Sequence, residues 1–203
     1  PKAGEANPEM SIFVANIKRG KPKKINVGDT DDVYLPWMEW FNSESLVLMK
    51  MNRLQNNWTF LKIFTSGRKY LEGISESDPN GWVQLHRNYH FLKNGNLLWM
   101  SERDGWHHIY LHTFEGKVLH QVTSGTWEVK KIVAVDEDSE KVYFMANKES
   151  VFENRLYSIN FDGSDLKLLT AESGTHSVKV FPNFSGFIDS YSNLNTPSRH
   201  LLK

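Results

Sequence analysis

The chain has 203 residues, 24 Lys+Arg against 24 Asp+Glu for a formal net charge of +0, and no cysteine. The balanced charge gives no electrostatic footprint for nucleic acid, the lack of Cys excludes disulfides, thiolate metal ligands and a Cys nucleophile, and no apolar run approaches the roughly 20 residues of a membrane span. Aromatic residues at 13% mark a chain that folds around a core.

The chain opens at Pro1-Lys2-Ala3-Gly4 with no Met and no apolar signal core, so it reads as an excised fragment with any targeting segment upstream. Helix signals are scarce throughout. Short runs of β-branched and aromatic residues recur between Gly, Asn, Asp and Ser, which predicts many short strands joined by turns. Met10–Lys18 is the first such run. Trp58–Thr65 sets Trp58, Phe60, Lys62 and Phe64 against Thr59, Leu61, Ile63 and Thr65; both sides are largely apolar, as in a strand between two layers. His107–Phe114, Lys117–Thr123 and Lys141–Ala146 continue the series. Lys93-Asn94-Gly95-Asn96, Phe114-Glu115-Gly116-Lys117 and Phe161-Asp162-Gly163-Ser164 each place Gly beside an acid or amide, as hairpin turns require.

The strands repeat. Leu97, Val142 and Phe187 open apolar strands at steps of 45 residues, and Tyr110 and Tyr157, like Gly116 and Gly163, stand 47 apart. Gly125 and Gly174 end matching units, 49 apart, and Leu46-Val47-Leu48-Met49 with Phe60, Gly67 and Leu71 fits an earlier copy. About four strands per unit of roughly 40–50 residues points to propeller blades. The competing fold is a β-sandwich with chance spacing, against which three units in phase argue. The expected class is all-β: a partial β-propeller of about four blades of four-stranded antiparallel sheets, the second half of an eight-bladed ring. Residues 10–27 give half a blade, 33–76, 88–123 and 127–170 three blades, and 177–203 an incomplete one. The cut faces are expected to expose apolar surface and strand edges.

Motifs that carry chemistry are few. Gly-x-Ser-x-Gly is missing, as are the glycine patterns of dinucleotide and phosphate loops. His107-His108 would point to opposite faces of a strand and cannot readily share a metal. Asp29, Asp31 and Asp32, and Asp136, Glu137 and Asp138, have the oxygens calcium wants, but both groups sit between strands, where acids are ordinary turn residues. Asn57-Trp58-Thr59 and Asn183-Phe184-Ser185 match the glycosylation sequon, with Trp58 and Phe184 expected to pack in the sheets. No metal or other cofactor is expected. Trp82 follows the turn Asp78-Pro79-Asn80-Gly81 in a polar inter-blade segment, a common place for contact with a ligand or a partner domain. Arg87 in that segment could clamp a carbonyl or carboxylate with its forked donors, or serve as a solvated surface residue.

Several stretches together resemble one family. They are Pro1-Lys2-Ala3-Gly4-Glu5-Ala6-Asn7-Pro8, Tyr34-Leu35 with Trp40, Gly81-Trp82-Val83, Ser101-Glu102-Arg103-Asp104-Gly105-Trp106 and, most specifically, Thr123-Ser124-Gly125-Thr126-Trp127-Glu128-Val129. The chain resembles the propeller of the dipeptidyl peptidase IV family, in the prolyl oligopeptidase clan, and its bacterial members in particular. The resemblance implies an eight-bladed propeller capping an α/β-hydrolase domain with a Ser-Asp-His triad. Such an enzyme removes dipeptides, or in a bacterial branch tripeptides, after Pro at peptide N-termini. The amine-binding glutamates of the family would lie upstream and the triad downstream, so this fragment is expected to be inactive alone and to gate access as part of the substrate-binding wall. The family's aromatic–Arg pair after Gly-Trp-Val falls on His86 and Arg87, with His86 in place of the usual Phe, which weakens stacking on substrate. The partners implied are peptide substrates, the protein's own C-terminal hydrolase domain and a second copy in a homodimer; the implied location is the periplasm, the cell surface or the exterior of a bacterium. The alternative is a propeller scaffold or binding module with no enzyme attached.

Overall fold

A computed structural model describes residues 4–5, 9–18, 20–66 and 70–203. Most of the Pro1–Pro8 match and Gly67 lie outside the described residues. Among those described, every regular element is a strand, and every paired strand runs antiparallel to its neighbour. The chain divides into two compact units, one of residues 1–86 with 114–116 and one of 87–113 with 117–203.

The first unit begins with a two-stranded sheet, β1 (Ile12–Val14) and β2 (Lys23–Ile25). The run predicted over Met10–Lys18 is thus cut short at Val14. Asn16 ends it: its side-chain oxygen accepts from the Lys18 amide at 2.9 Å and its carbonyl from Gly20 at 2.9 Å, a local turn that competes with the ladder.

The next sheet contains β3 (Val33–Tyr34), β4 (Met38–Asn42), β5 (Ser45–Asn52), β6 (Asn57–Phe64) and β7 (Tyr70–Ser77). Both β3 and β4 pair with β5, Tyr34 opposite Met51 and Met38 opposite Leu48. They are two halves of one position, broken at Leu35-Pro36-Trp37 because Pro36 has no N–H to give the ladder. The Trp37 carbonyl keeps one bond, to the Met49 amide at 3.1 Å. Ile12, Ile25 and Val27 pack on Leu46, Leu48, Leu61 and Ile63, so the two sheets share a core. The alternation read in β6 is realised: Trp58, Phe60, Leu61 and Ile63 are all buried, from both faces.

In the second unit, β8 (Tyr89–Phe91), β9 (Leu97–Ser101), β10 (His108–His112) and β11 (Val118–Gln121) form one four-stranded meander. A second comprises β12 (Val129–Asp136), β13 (Lys141–Ala146), β14 (Arg155–Asn160) and β15 (Lys167–Leu168). A three-stranded one follows, of β16 (Thr175–Val180), β17 (Phe187–Asn193) and β18 (Thr196–Leu202). Leu98, Met100, Ile109 and Leu111 of the first meander meet Val129, Val142, Phe144 and Tyr157 of the second in one core. Met145 and Leu156 meet Val178 in another. The middle sheet is therefore apolar on both faces. The fold is all-β, built of antiparallel meanders of the propeller-blade kind.

One device recurs at the ends of the outer strands. Where β11 stops, buried Thr123 takes over the ladder, its hydroxyl accepting from the Ile109 amide at 2.8 Å. Where β15 stops, buried Thr170 does the same for Leu156 at 3.0 Å. Gly163, at φ +84°, turns β14 into β15 where an added Cβ would come 3.2 Å from the Val122 carbonyl oxygen.

Candidate functional site

The segment joining β7 to β8 is irregular but held in place. Asn52 shapes the β5–β6 turn: its side-chain oxygen accepts from the Asn56 and Asn57 amides at 3.1 Å each, and its side-chain nitrogen donates to Asn56 Oδ1 at 2.7 Å. Gln55 takes positive φ, +58°. The turn thereby offers two carbonyls to the segment beside it. The Asp78 amide donates to the Asn56 carbonyl at 2.9 Å and the Val83 amide to the Gln55 carbonyl at 3.0 Å. Between those anchors Asp78 Oδ1 accepts from the Asn80 amide at 2.9 Å, closing a tight turn. Trp82 stands at the tip with 81% of its surface exposed.

Beside this loop lies an open cleft of about 320 Å³ lined by Met10, Tyr34, Leu35, Pro36, Met51, Gln55 and Leu85. The β3–β4 break that Pro36 imposes forms part of its wall. Arg53 stands over the Tyr34 ring at 5.8 Å and pairs with Asp32 at 3.5 Å. The cleft suits an apolar side chain, with a cation near one wall. Of the two residues singled out in the sequence, His86 closes the first unit and is half-buried, and Arg87 opens the second and is exposed. Both lie in the irregular segment after Leu85.

The other sequence candidates have structural roles. His108 is buried; its Nε2 donates to the Gly125 carbonyl at 2.9 Å, its Nδ1 meets the Thr123 hydroxyl at 3.1 Å, and its ring stands edge-on to Trp127 at 4.9 Å. The Thr123–Trp127 motif is thus a clasp around a histidine. The His107 carbonyl accepts from the Val129 amide at 2.8 Å. Asp29 accepts from the Asp31 amide at 2.9 Å, and Asp136 from the Asp138 and Ser139 amides at 3.2 Å, so both acidic groups shape turns. Among the described residues no three His, Cys, Asp or Glu side chains gather as a metal site. Trp58 is buried, and Phe184 stacks on Tyr143 at 5.7 Å.

Sequence reasoning missed a buried polar network in the last sheet. His176 and Asp189 are both fully buried, with Nδ1 and Oδ1 2.7 Å apart. The other ring nitrogen of His176 donates to the Glu172 carbonyl at 2.9 Å, and the ring stacks on Tyr191 at 5.2 Å. Lys203 bridges Asp189, at 3.2 Å, and the Glu172 carboxylate. Burial opposes the Lys203 charge, but the bonds to Glu172 and Asp189 outweigh it and hold its pKa above the usual lysine value. The same Lys203 bond keeps Glu172 below the usual carboxylate range. The only sequence signal was Asp189 itself, in register with Phe187 and Tyr191 on an otherwise apolar strand face. Elsewhere, burial followed by the charge of Glu149 pushes the Tyr157 phenol up to about 12.

Comparison with known proteins bears on this arrangement as a whole. The family model described as dipeptidyl peptidase IV (DPP IV) N-terminal region matches residues 1–198. Dipeptidyl peptidase 4 of Arthroderma otae is 27% identical over 99% of this chain, and inactive dipeptidyl peptidase 10 of Rattus norvegicus 28% identical over 80% of it. The crystal structure of Porphyromonas gingivalis dipeptidyl peptidase 4 superposes over 100% of this chain with a TM-score of 0.88 at 27% identity. The chain spans 27% and 22% of the length of those two curated relatives and 29% of the crystallised one. With the family model matched from residue 1 to residue 198, the chain belongs to the dipeptidyl peptidase IV family, as its N-terminal region.

Proposed function

We propose that this chain is the propeller wall of a dipeptidyl peptidase IV-like serine exopeptidase that releases di- or tripeptides after Pro from peptide N-termini. In this reading the chain is not catalytic alone. It gates access to a hydrolase domain elsewhere in the polypeptide and lends His86 and Arg87 to the substrate's path. The observation that carries the reading is the family match over residues 1–198. The placement of Arg87 agrees with it: an exposed guanidinium in the irregular segment between β7 and β8 is free of any role in the sheets. The proposal includes a second copy as partner and a periplasmic or cell-surface location in a bacterium.

In the intact protein, Arg87→Ala should raise KM for Gly-Pro peptide substrates by about tenfold or more, the loss expected for a charged hydrogen bond, while the unfolding midpoint barely moves. Unchanged kinetics in a folded variant would sink the role of Arg87. A second reading, a propeller with no peptidase activity, draws on the matches to relatives named inactive dipeptidyl peptidase 10 in rat and mouse, each 28% identical. A Gly-x-Ser-x-Gly motif downstream in the intact polypeptide, with release of dipeptides by the purified protein, decides for the peptidase.

A further inference from the structure

The β1–β2 hairpin concentrates charge in a chain whose formal net charge is +0. Five of the seven residues from Lys18 to Lys24 are Lys or Arg, and no acid occurs between Glu9 and Asp29. Of these cations Lys18, Lys21, Lys23 and Lys24 are exposed. In other sheets Lys93, Lys141, Lys167 and Lys203 each pair with a carboxylate. Among the described residues no such ion pair takes up the four lysines of the hairpin.

Lys23 donates to the Ser66 carbonyl, which sets the hairpin beside the β6–β7 link, where the sequence adds Arg68 and Lys69. One acid is tied to the same end: the Glu44 carbonyl accepts from the Thr65 amide at 2.8 Å, and the Glu44 side chain is exposed. The balance stays strongly positive. Like charges held together repel, so the cluster brings the isolated fold nothing and calls for a counter-charge.

The hairpin also shows apolar side chains to water. Asn16 closes its turn, with its side-chain oxygen on the Lys18 amide and its carbonyl on the Gly20 amide, both at 2.9 Å. Gly20 takes φ +64° there. Ile17 rides at the crest of this braced turn and stands fully out in solvent. Phe13, opposite Lys24 in the ladder, is 54% exposed. Ile12 and Ile25 turn the other face of the hairpin into the core, so alternation puts Phe13 and Lys24 together on the outward face.

We propose that this hairpin docks the protein on an anionic lipid surface, with Lys18, Lys21 and Lys24 at the headgroups and Ile17 and Phe13 entering the boundary with the acyl chains. The choice of occupant rests on charge and apolarity in one small element. A soluble polyanion satisfies the lysines but leaves Ile17 in water. An anionic bilayer takes both: the headgroups attract the basic cluster, and the interface accepts the apolar tip. Such an attachment lies on the surface and spans nothing. It also has a direction. The eight residues of β6 cover about 25 Å and separate this end from the β5–β6 turn, where the cleft of Tyr34, Met51 and Gln55 opens. The docking end and the cleft are thus at opposite ends of one sheet.

The test is co-sedimentation of the intact protein with vesicles of phosphatidylcholine containing about one-third phosphatidylglycerol, against phosphatidylcholine alone, at low salt and at about 0.5 M salt. Binding to the anionic vesicles only, lost at high salt, is expected. Lys21→Gln with Lys24→Gln should weaken it about 25-fold, roughly fivefold per charge. Ile17→Ser should weaken it several-fold. Circular dichroism should be unchanged in both. Lys21→Arg with Lys24→Arg keeps the charge and should keep the binding, as should Lys93→Gln with Lys167→Gln, which removes as much charge elsewhere. No binding, or equal binding to neutral vesicles, overturns the proposal. So does full binding by the Lys21→Gln, Lys24→Gln variant, which places the contact on another surface. Binding that ignores Ile17→Ser and is competed away by DNA or heparin assigns the cluster to a soluble polyanion and overturns the lipid surface. None of these readouts depends on peptidase activity, so the hairpin is tested apart from the function proposed above.

Discussion

Asp189→Ala should be among the most damaging single substitutions in the second unit. The carboxyl is fully buried, 2.7 Å from His176 Nδ1 and 3.2 Å from Lys203 Nζ. Removing it leaves a buried imidazole with one nitrogen facing nothing and a lysine with one acceptor fewer. Breaking a buried pair by deleting one partner costs about 3–5 kcal/mol. With a urea dependence of about 2 kcal/mol per molar, the midpoint should fall by about 2 M. Equilibrium urea unfolding followed by tryptophan fluorescence reads the shift. Asp189→Asn keeps the volume and one acceptor and should lose about 1.5–3 kcal/mol, the worth of a hydrogen bond to a charged group. The pair His176→Phe with Asp189→Leu, which removes both polar groups, should recover much of the loss, since a well-packed apolar pair can match a buried ionic one. A midpoint shift below about 0.5 M for Asp189→Ala would mean that water reaches the site and that the burial argument is wrong.

Thr123→Val keeps shape but orphans the Ile109 amide, which its hydroxyl accepts at 2.8 Å; a loss of about 1–3 kcal/mol is expected in the same unfolding assay. Gly125→Ala should be equally costly, because φ is +131° there and a Cβ would press within 2.7 Å of Trp127 Cδ1, loosening the clasp on His108; a near-neutral melting temperature would count against that reading. Trp82→Ala should change stability by less than about 0.5 kcal/mol, because the side chain lies at an exposed loop tip. Glu153 titrates below the ordinary value of 4.5, through the Ser173 hydrogen bond first and then Arg155, against some burial. A lowered carboxylate adds stability that is present above the unfolded value and lost as pH falls through the folded one. Glu153→Gln should therefore lower stability at pH 7 and flatten its decline below about pH 4.5, as read by urea midpoints from pH 7 to pH 3.

What the sequence made legible was whatever depends on near neighbours. Trp58 to Ile63 alternate within one strand, so burial from both faces could be read in place. Gly163 beside Asp162 announces a turn whose φ of +84° few other residues accept. The run from Met10 to Lys18 overreached because strand propensity does not register the Asn16 side chain, which captures the Lys18 amide and stops the ladder. The split of β3 from β4 was written in Pro36, but only the register of both halves on β5 gives it meaning. The cleft and the His176–Asp189 pair were out of reach for one reason. Met10, Tyr34 and Leu85 are far apart in the chain, and His176 and Asp189 lie on different strands, so neither grouping has a local pattern.

The relatives sharpen where function must be sought. A peptidase of Arthroderma and an inactive homologue of rat match this chain about equally well, at 27% and 28% identity. Features common to a peptidase and an inactive homologue serve the fold they have in common. None of these can separate an enzyme's wall from a scaffold. The discriminating residues are those the sheets do not need, because only these are free to be chosen for a ligand or partner. Here they form a short set: Trp82 at 81% exposure on its anchored turn, Arg87 in the open, and Ile17 at the crest of its braced turn. Each costs the isolated fold solubility or brings it nothing. A residue of that kind, held in one geometry by neighbours that spend their own hydrogen bonds to hold it, is better explained by something it meets than by anything it supports.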